Sequence, residues 1–436
     1  MRAFTEPLLE LAEFDTIKKT QKKKKGIIQI AGCAGSQKTH LAYALSQENK
    51  RNLYILANEE KAREVLEEYR FLDQDVCFYP AKDFLFYQAD IRGKYLVKQR
   101  MEVIQALREQ ERATVITTID ALMGGIRKPE KIYGDIFTLH IGDIVDFEQL
   151  KQKMSDMGYE REVQIEGPGQ FAVRGGIMDF FPLTKETPVR VEFWDDEIDS
   201  IRTFDTGTQR SMENLDEITI YPADDEEEGK DSVSFLEYFD PDETLVFLDE
   251  PVRLLERGTE VEEETKQAEQ NRQEMKQGKA VSCFAIKEVL TRLQHYYGIG
   301  FTALETRQKE VPFRETYSIQ VKTVNPYNRS FDILTKDLKR LKRSGYRVIL
   351  LSGSRTRARR LAEDLRDYDL NSFYDEDTDR IVKPGEIMVS YGHVTAGYEY
   401  PMLKFTVISE TDIFGKKKKK KRHRVYEGER FMTLPI

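Results

Sequence analysis

Cysteine is scarce in this 436-residue chain: Cys33, Cys77 and Cys283 are the whole set, far apart and without a CxxC pair. That spacing encodes neither a disulfide framework nor a zinc cluster. Histidine is almost as sparse, with five scattered residues and no metal-ligand spacing. No run approaches the ~18 apolar residues of a membrane span, and the N-terminus MRAFTEPLLELAEFD lacks the apolar core of a secretory signal. The expectation is therefore a soluble protein of a reducing, bacterial-type cytoplasm, with no membrane partner. An excess of positive charge is missing too; the formal net charge of −9 argues against a general nucleic-acid coat. Tryptophan occurs once, at Trp194.

What remains is globular in composition, with 39% apolar and 33% charged residues. The length suits about two to four domains. Residues 1–136 alternate strand and helix patterns: an apolar strand from Ile27 to Ile30, a glycine loop, then HLAYALSQ, in which His40 reads as a helix-start residue. A strand from Leu53 to Ala57 follows, with Asn58 as N-cap of EEKAREVLEEYRFL, then VCFYPA, YLVKQRMEVIQALREQ and ATVITTID. Repeated βαβ units of this kind imply a parallel sheet covered by helices. From about Ile136 the pattern changes to one helix, FEQLKQKMSDMG, and short alternating strands, GQFAVRGGIMDFFP, PVRVEFWDD and EIDSIRTFD. Turns at 184–187 and 195–196 would connect these as an antiparallel meander. The acidic DDEEEGKD (224–231) reads as an exposed link, and EVEEETKQAEQNRQEMKQGK as a solvated helix. A last α/β unit starts near Asn325. The expected boundaries are 1–136 and 223–324 for one α/β domain in two pieces, 137–222 for an insert, 325–415 for a second α/β domain and 416–436 for a basic tail.

Two local features carry chemistry. GCAGSQKTH (32–40) nearly fits GxxxxGK[ST], after a strand and opening a helix. Gly32, Lys38 and Thr39 hold template positions and Gly35 adds freedom two places early, but Gln37 stands where the final glycine belongs. That glycine normally lets backbone N–H groups close on phosphates. LVFLDE adds a candidate Walker-B pair, Asp249 and Glu250. Read as an ATP site, Lys38 would meet the phosphates, Thr39 and Asp249 would flank magnesium, and Glu250 would orient water. The favoured reading is a scaffold that kept this geometry and lost its ligand, with no cofactor. In PVRVEFWDDE (188–197), strand alternation sends Val189, Val191 and Phe193 to one face and Arg190, Glu192 and Trp194 to the other. The largest aromatic thus falls on the charged face.

With these features in view, the chain resembles the N-terminal part of the bacterial transcription-repair coupling factor (Mfd) family. Residues 158 to 211, GYEREVQIEGPGQFAVRGGIMDFFPL…PVRVEFWDDEIDSIRTFDTGTQRS, are similar to that family's insert domain, which is shared with the excision-repair protein UvrB. HVTAGYEYPMLKFTVISETDIFGKKKKKKR (393–422) is similar to the end of the domain preceding the polymerase-binding module. The resemblance implies an α/β fold: a degenerate RecA/helicase-like parallel-sheet domain in two pieces, interrupted by a small α+β insert with an antiparallel sheet, then a Rossmann-like α/β domain. UvrB's long damage-probing hairpin has only the short YPAKDFLFYQADIRGKYL (79–96) opposite it, so Phe84, Phe86 and Tyr87 read as packing residues.

The resemblance also implies lost ATP hydrolysis and docking of the insert onto the repair ATPase UvrA through basic and aromatic residues. Those positions fall on Arg174, Arg190 and Trp194, where Trp194 replaces an expected phenylalanine. An outward Arg–Trp pair suits an interface hot spot, with Arg190 forking onto a partner carboxylate. The competing expectation buries Trp194 under the link 222–235 and pairs Arg190 with Glu192 or Asp179. Full-length family members continue into an RNA-polymerase-binding domain and a DNA translocase; the 436 residues stop before both, so RNA polymerase binding and translocation are not expected of them. The expected function is a non-catalytic recruitment module of transcription-coupled nucleotide excision repair. The rivals are a P-loop nucleotide-binding protein or ATPase, and a truncated remnant with weak non-specific DNA binding through the lysine run 22–25 and KKKKKKRHR (416–424).

Overall fold

GIIQIA, ATVITT and TLVFLD are apolar along nearly their whole length, and a strand can bury both its faces only inside a sheet covered on both sides. In a computed structural model, which describes residues 1–82, 90–227, 231–275, 282–307, 309–377 and 379–415, these runs are strands Gly26–Ala31, Ala113–Thr118 and Thr244–Asp249. With Arg51–Leu56, Val76–Tyr79, Tyr297–Thr302 and Phe313–Ser318 they form a seven-stranded sheet whose neighbouring strands are all parallel. Tyr297–Thr302 and Thr244–Asp249 lie between Gly26–Ala31 and Arg51–Leu56. The sheet is therefore assembled from two separated stretches of chain. Asn58 caps helix Glu59–Leu72 by accepting from the Lys61 amide at 3.0 Å.

Between those stretches lies a six-stranded sheet in the order Ser211–Leu215, Glu197–Phe204, Val189–Trp194, Ile177–Phe180, Gln170–Arg174, Glu160–Arg161. It is antiparallel apart from its last pair. Helix Phe147–Asp156 packs Leu150 and Met154 against Phe171, Met178, Phe180, Val189, Val191 and Ile201. Strands Phe137–His140 and Glu217–Ile220 pair antiparallel, so the chain enters and leaves this insert side by side.

The link after the insert differs from the sequence expectation. Residues 224–227 are not a solvated acidic strap: Asp225 is fully buried, with Arg100 Nε at 2.6 Å and Lys82 Nζ at 3.0 Å. Arg100, also buried, lies over the Tyr79 ring at 4.6 Å, and that ring stacks on Phe235 at 3.5 Å. A guanidinium inside the core needs a counter-charge, and the exit of the insert supplies it.

The second α/β unit has a six-stranded sheet with Arg347–Ser352 between Phe405–Ser409 and Ile387–Tyr391, all three parallel. It is not packed as a separate body. One apolar cluster runs from Ile28, Tyr54 and Phe301 of the first sheet, through Phe4, Phe14 and Ile17, to Ile349, Met388, Tyr400 and Phe405 of the second. Helix Ser36–Ser46 lies in that joint and is buried on nearly every side, as a helix between two sheets must be. Among the described residues no helix is long and apolar enough to cross a membrane, and no cluster of three or more His, Cys, Asp or Glu side chains could hold a metal. The tail 416–436 and Phe84, Phe86 and Tyr87 lie outside the described residues.

Burial raises the Asp225 pKa, but Arg100 and Lys82 outweigh it and hold the carboxyl below the ordinary aspartate value. Asp225→Ala leaves Arg100 buried and unpaired, which costs about 3–5 kcal/mol. The expected result is a clear drop in the urea midpoint at neutral pH, largely recovered in an Arg100→Met/Asp225→Leu double variant. A folded pKa below the unfolded one also means that this stabilisation is present above the unfolded value and lost as pH falls through the acid range.

Candidate functional site

The glycine loop joins strand Gly26–Ala31 to helix Ser36–Ser46, in the strand–loop–helix order that the motif requires. Gly32 has φ +85, and a Cβ there would meet the Ile319 carbonyl oxygen at 2.2 Å. Gly35, with φ 51, precedes helix Ser36–Ser46. The side chains, however, are spoken for. Lys38 Nζ lies 2.8 Å from Asp249 and 2.6 Å from Glu250. Thr39 Oγ1 donates to Glu68 at 2.7 Å, and Ser36 donates to the same carboxylate. The Ala34 amide donates to Gln37 Oε1 at 3.4 Å. Burial works to lower the Lys38 pKa, but Asp249 and Glu250 outweigh it and the ammonium is held above its ordinary value.

Gly35, Lys38, Asp249 and Glu250 line a pocket of about 430 Å³, with Thr395 and Ala396 of the second α/β unit in its wall. Gly32 and Thr39 do not line it. Mg–ATP would need the Thr39 hydroxyl, the Lys38 ammonium, Asp249 and the loop amides at once. The Thr39 hydroxyl, the Lys38 ammonium, Asp249 and the Ala34 amide each have a partner within the chain, so in this arrangement those groups are not free to receive it.

Gln37 explains part of the change. Its side chain is buried and donates to the Tyr400 hydroxyl at 3.1 Å. That hydroxyl is 3.0 Å from His40 Nδ1, and His40 Nε2 is 2.9 Å from the Phe4 carbonyl oxygen. A carbonyl only accepts, so Nε2 carries the hydrogen and Nδ1 accepts from Tyr400. The imidazole is neutral, and burial holds its pKa down at about 4. Burial also raises both Cys33 and Cys77 to about 12, so neither thiol is poised as a nucleophile.

The second site is the outer face of the insert sheet. Residues directly opposite in neighbouring strands share a face, which defines three rows. The first contains Asp179, Arg190 and Arg202; the second Arg174, Ile177, Glu192 and Ser200; the third Trp194, Glu197 and Ile144. Arg174, Arg190 and Trp194 thus lie on one face. Trp194 is 80% exposed and sits beside Asp195, whose φ is 57, so it is not beneath the 222–235 link. Arg174 is exposed and donates to the Val163 carbonyl at 3.2 Å.

Arg190 is different. Its guanidinium forks onto Asp179 at 2.6 and 2.8 Å, adds Gln209 at 2.9 Å and covers the Phe204 ring at 4.4 Å. The bond that the sequence assigned to a partner carboxylate is made inside the insert, and Arg202 pairs with Glu192 in the same way. Sequence reasoning missed Ile144, which is 83% exposed beside the same hairpin. Nothing in IGDIVD marks it, because its place depends on residues 142–145 pairing with 196–198.

Residues 137–225 match the UvrB interaction domain. Along 93% of its length the chain is 24% identical to the transcription-repair-coupling factor of Bacillus subtilis, and over 91% it is 23% identical to that of Staphylococcus haemolyticus. A Staphylococcus aureus counterpart is 25% identical over 91% of the chain. The chain spans only 39–40% of the length of these relatives. It is similar to the N-terminal part of transcription-repair-coupling factors, with a UvrB interaction domain as its insert. A solved structure of a hypothetical ATP-dependent RNA helicase from Sulfolobus tokodaii aligns over 89% of this chain and 82% of its own, at 10% identity and a TM-score of 0.26.

Two outcomes follow from this geometry. A buried neutral His40 near 4, against ~6.5 in the unfolded chain, makes the folded state bind fewer protons between those values. Stability should therefore fall by about 3 kcal/mol as pH drops from 6.5 to 4, and His40→Gln should flatten the melting temperature between pH 7 and 5. Trp194→Ala should leave the unfolding free energy within about 0.5 kcal/mol of wild type; a larger loss would show that the ring serves the fold.

Proposed function

We propose that this chain is a recruitment module of transcription-coupled nucleotide excision repair that binds UvrA through the outer face of its insert sheet, with no nucleotide turnover of its own. The observation that carries this reading is Trp194: the one tryptophan of the chain, 80% exposed, on a hydrogen-bonded sheet inside the stretch that matches the UvrB interaction domain. Burying ~150–250 Å² of indole is worth about 4–6 kcal/mol before the cost of association is subtracted. Arg174 stands on the same face with its charge toward solvent. Arg190 has a supporting role, since its pairing with Asp179 stiffens the sheet that carries Trp194.

The absence of turnover is argued from the partners of Lys38, Thr39 and Gln37. DNA binding has less behind it: Lys22 and Lys25 of the lysine run pair with Glu48 and Asp242, and KKKKKKRHR lies outside the described residues.

Calorimetric titration of UvrA with the chain tests the reading. Wild type should bind saturably, and Trp194→Ala should lose about 2 kcal/mol, roughly thirtyfold. Equal binding by wild type and a Trp194→Ala/Arg174→Ala variant would overturn the docking face. Mg–ATP in the syringe should give no saturable heat; micromolar binding abolished by Lys38→Ala would favour the nucleotide reading instead.

A further inference from the structure

The row that contains Trp194 has a second apolar member. Residues 142–145 run antiparallel beside 196–198: the Gly142 amide donates to the Ile198 carbonyl at 2.8 Å, the Val145 amide to Asp196 at 2.8 Å, and the Ile198 amide to Asp143 at 2.9 Å. Ile144 therefore stands opposite Glu197, which on its other side stands opposite Trp194. Val145 turns inward and packs on the insert core, which leaves Ile144 outward. Neighbours in such a row are about 5 Å apart, so indole and isoleucine flank one carboxylate across a strip of roughly 10 Å.

The charge around the strip is one-sided. Asp195, Asp196 and Glu197 are exposed and have no ion-pair partner among the described residues. Asp143 is held by His140, whose amide donates to it at 2.8 Å. The cations nearest in the sheet are committed, Arg202 to Glu192 and Arg190 to Asp179. Positive charge without a carboxylate partner among the described residues appears away from the tip, on exposed Arg161 and Arg174 toward the opposite edge and on Arg210 just before strand Ser211–Leu215. The face is thus basic at one edge and acidic around its apolar tip.

We infer that Ile144 is a second anchor of the docking face, and that the partner surface meeting it is an apolar socket holding a lysine or arginine over Glu197. The inference rests on the UvrA reading above and adds the chemistry of the surface that must receive the tip. Three uncompensated carboxylates beside an exposed indole repel an acidic partner and attract a basic one, which gives the contact an orientation as well as an affinity.

The test is titration of UvrA with wild type, Trp194→Ala, Ile144→Ser and Glu197→Lys at low and high salt. Both new positions are exposed, so circular dichroism and melting temperature should match wild type. Ile144→Ser should weaken binding roughly fivefold or more at either salt. Glu197→Lys should weaken it roughly tenfold at low salt and less at high salt, because added ions screen the reversed charge. If Trp194→Ala is impaired while both new variants bind within twofold of wild type, the second anchor and its basic socket are wrong and the docking face stands. If wild-type chain does not bind UvrA at all, the docking reading falls and the inference with it.

Discussion

One buried carboxylate, Glu68, joins the two α/β units. It accepts the hydroxyls of Ser36 and Thr39 at the start of the loop helix, and its Oε1 also accepts the Thr395 amide of the second unit at 2.8 Å. Ser36 in turn accepts the Ala396 amide at 3.1 Å. A helix N-terminus preceded by glycine-enabled turns favours negative charge whatever molecule brings it. Here the chain provides the anion from helix Glu59–Leu72. Glu68 ties down the first turn of the loop helix through its hydroxyls, and the same helix carries Gln37 and His40 to Tyr400 of the second unit. The loop helix is a joint between the two units.

The joint bears on function through stiffness. The second unit is held through the shared apolar core and the Gln37–Tyr400–His40 chain, while the insert is held at its exit by Arg100 and Asp225 and across its base by paired strands. If Trp194 docks as proposed, a side chain on so rigid a frame loses little freedom on binding, and less of its burial energy is spent on ordering. Breaking either fixture would loosen the frame without touching Trp194. Stability of the frame and strength of the face are separable properties of this chain.

Local sequence pattern carried much of this. The apolar runs gave the parallel strands, the alternation in PVRVEFWDDE put Trp194 outward, Asn58 showed as a cap, and Gln37 flagged the altered loop. What could not be read there depends on register between distant segments. Pairing of Arg190 with Asp179 stood only as the competing expectation, beside Glu192, and hairpin pairing decides for Asp179 by setting the two side by side eleven residues apart. Ile144 gains its neighbours from an isolated bridge. Asp225 looked solvated because it sits in an acidic run, yet a single buried guanidinium outweighs composition. Nothing singles out Glu68 within its helix pattern or Tyr400 at all, since neither motif nor periodicity records that two sheets will close over one helix.

The pairing of Arg190 and Arg202 with their own sheet alters how the face works. An arginine already forked onto a carboxylate gains little by exchanging it for a partner's, because both states are paired and the first is partly desolvated in advance. Among the described residues, exposed charge without an ion-pair partner includes Arg174 on one side and Asp195, Asp196 and Glu197 at the tip. In the proposed docking, such a distribution would supply little attraction in total but a strong preference for one orientation, with the apolar tip contributing most of the affinity. Of the internal pairs, Glu192–Arg202 borders the tip directly, while Arg190–Asp179 lies one row further back and braces the strands that carry it.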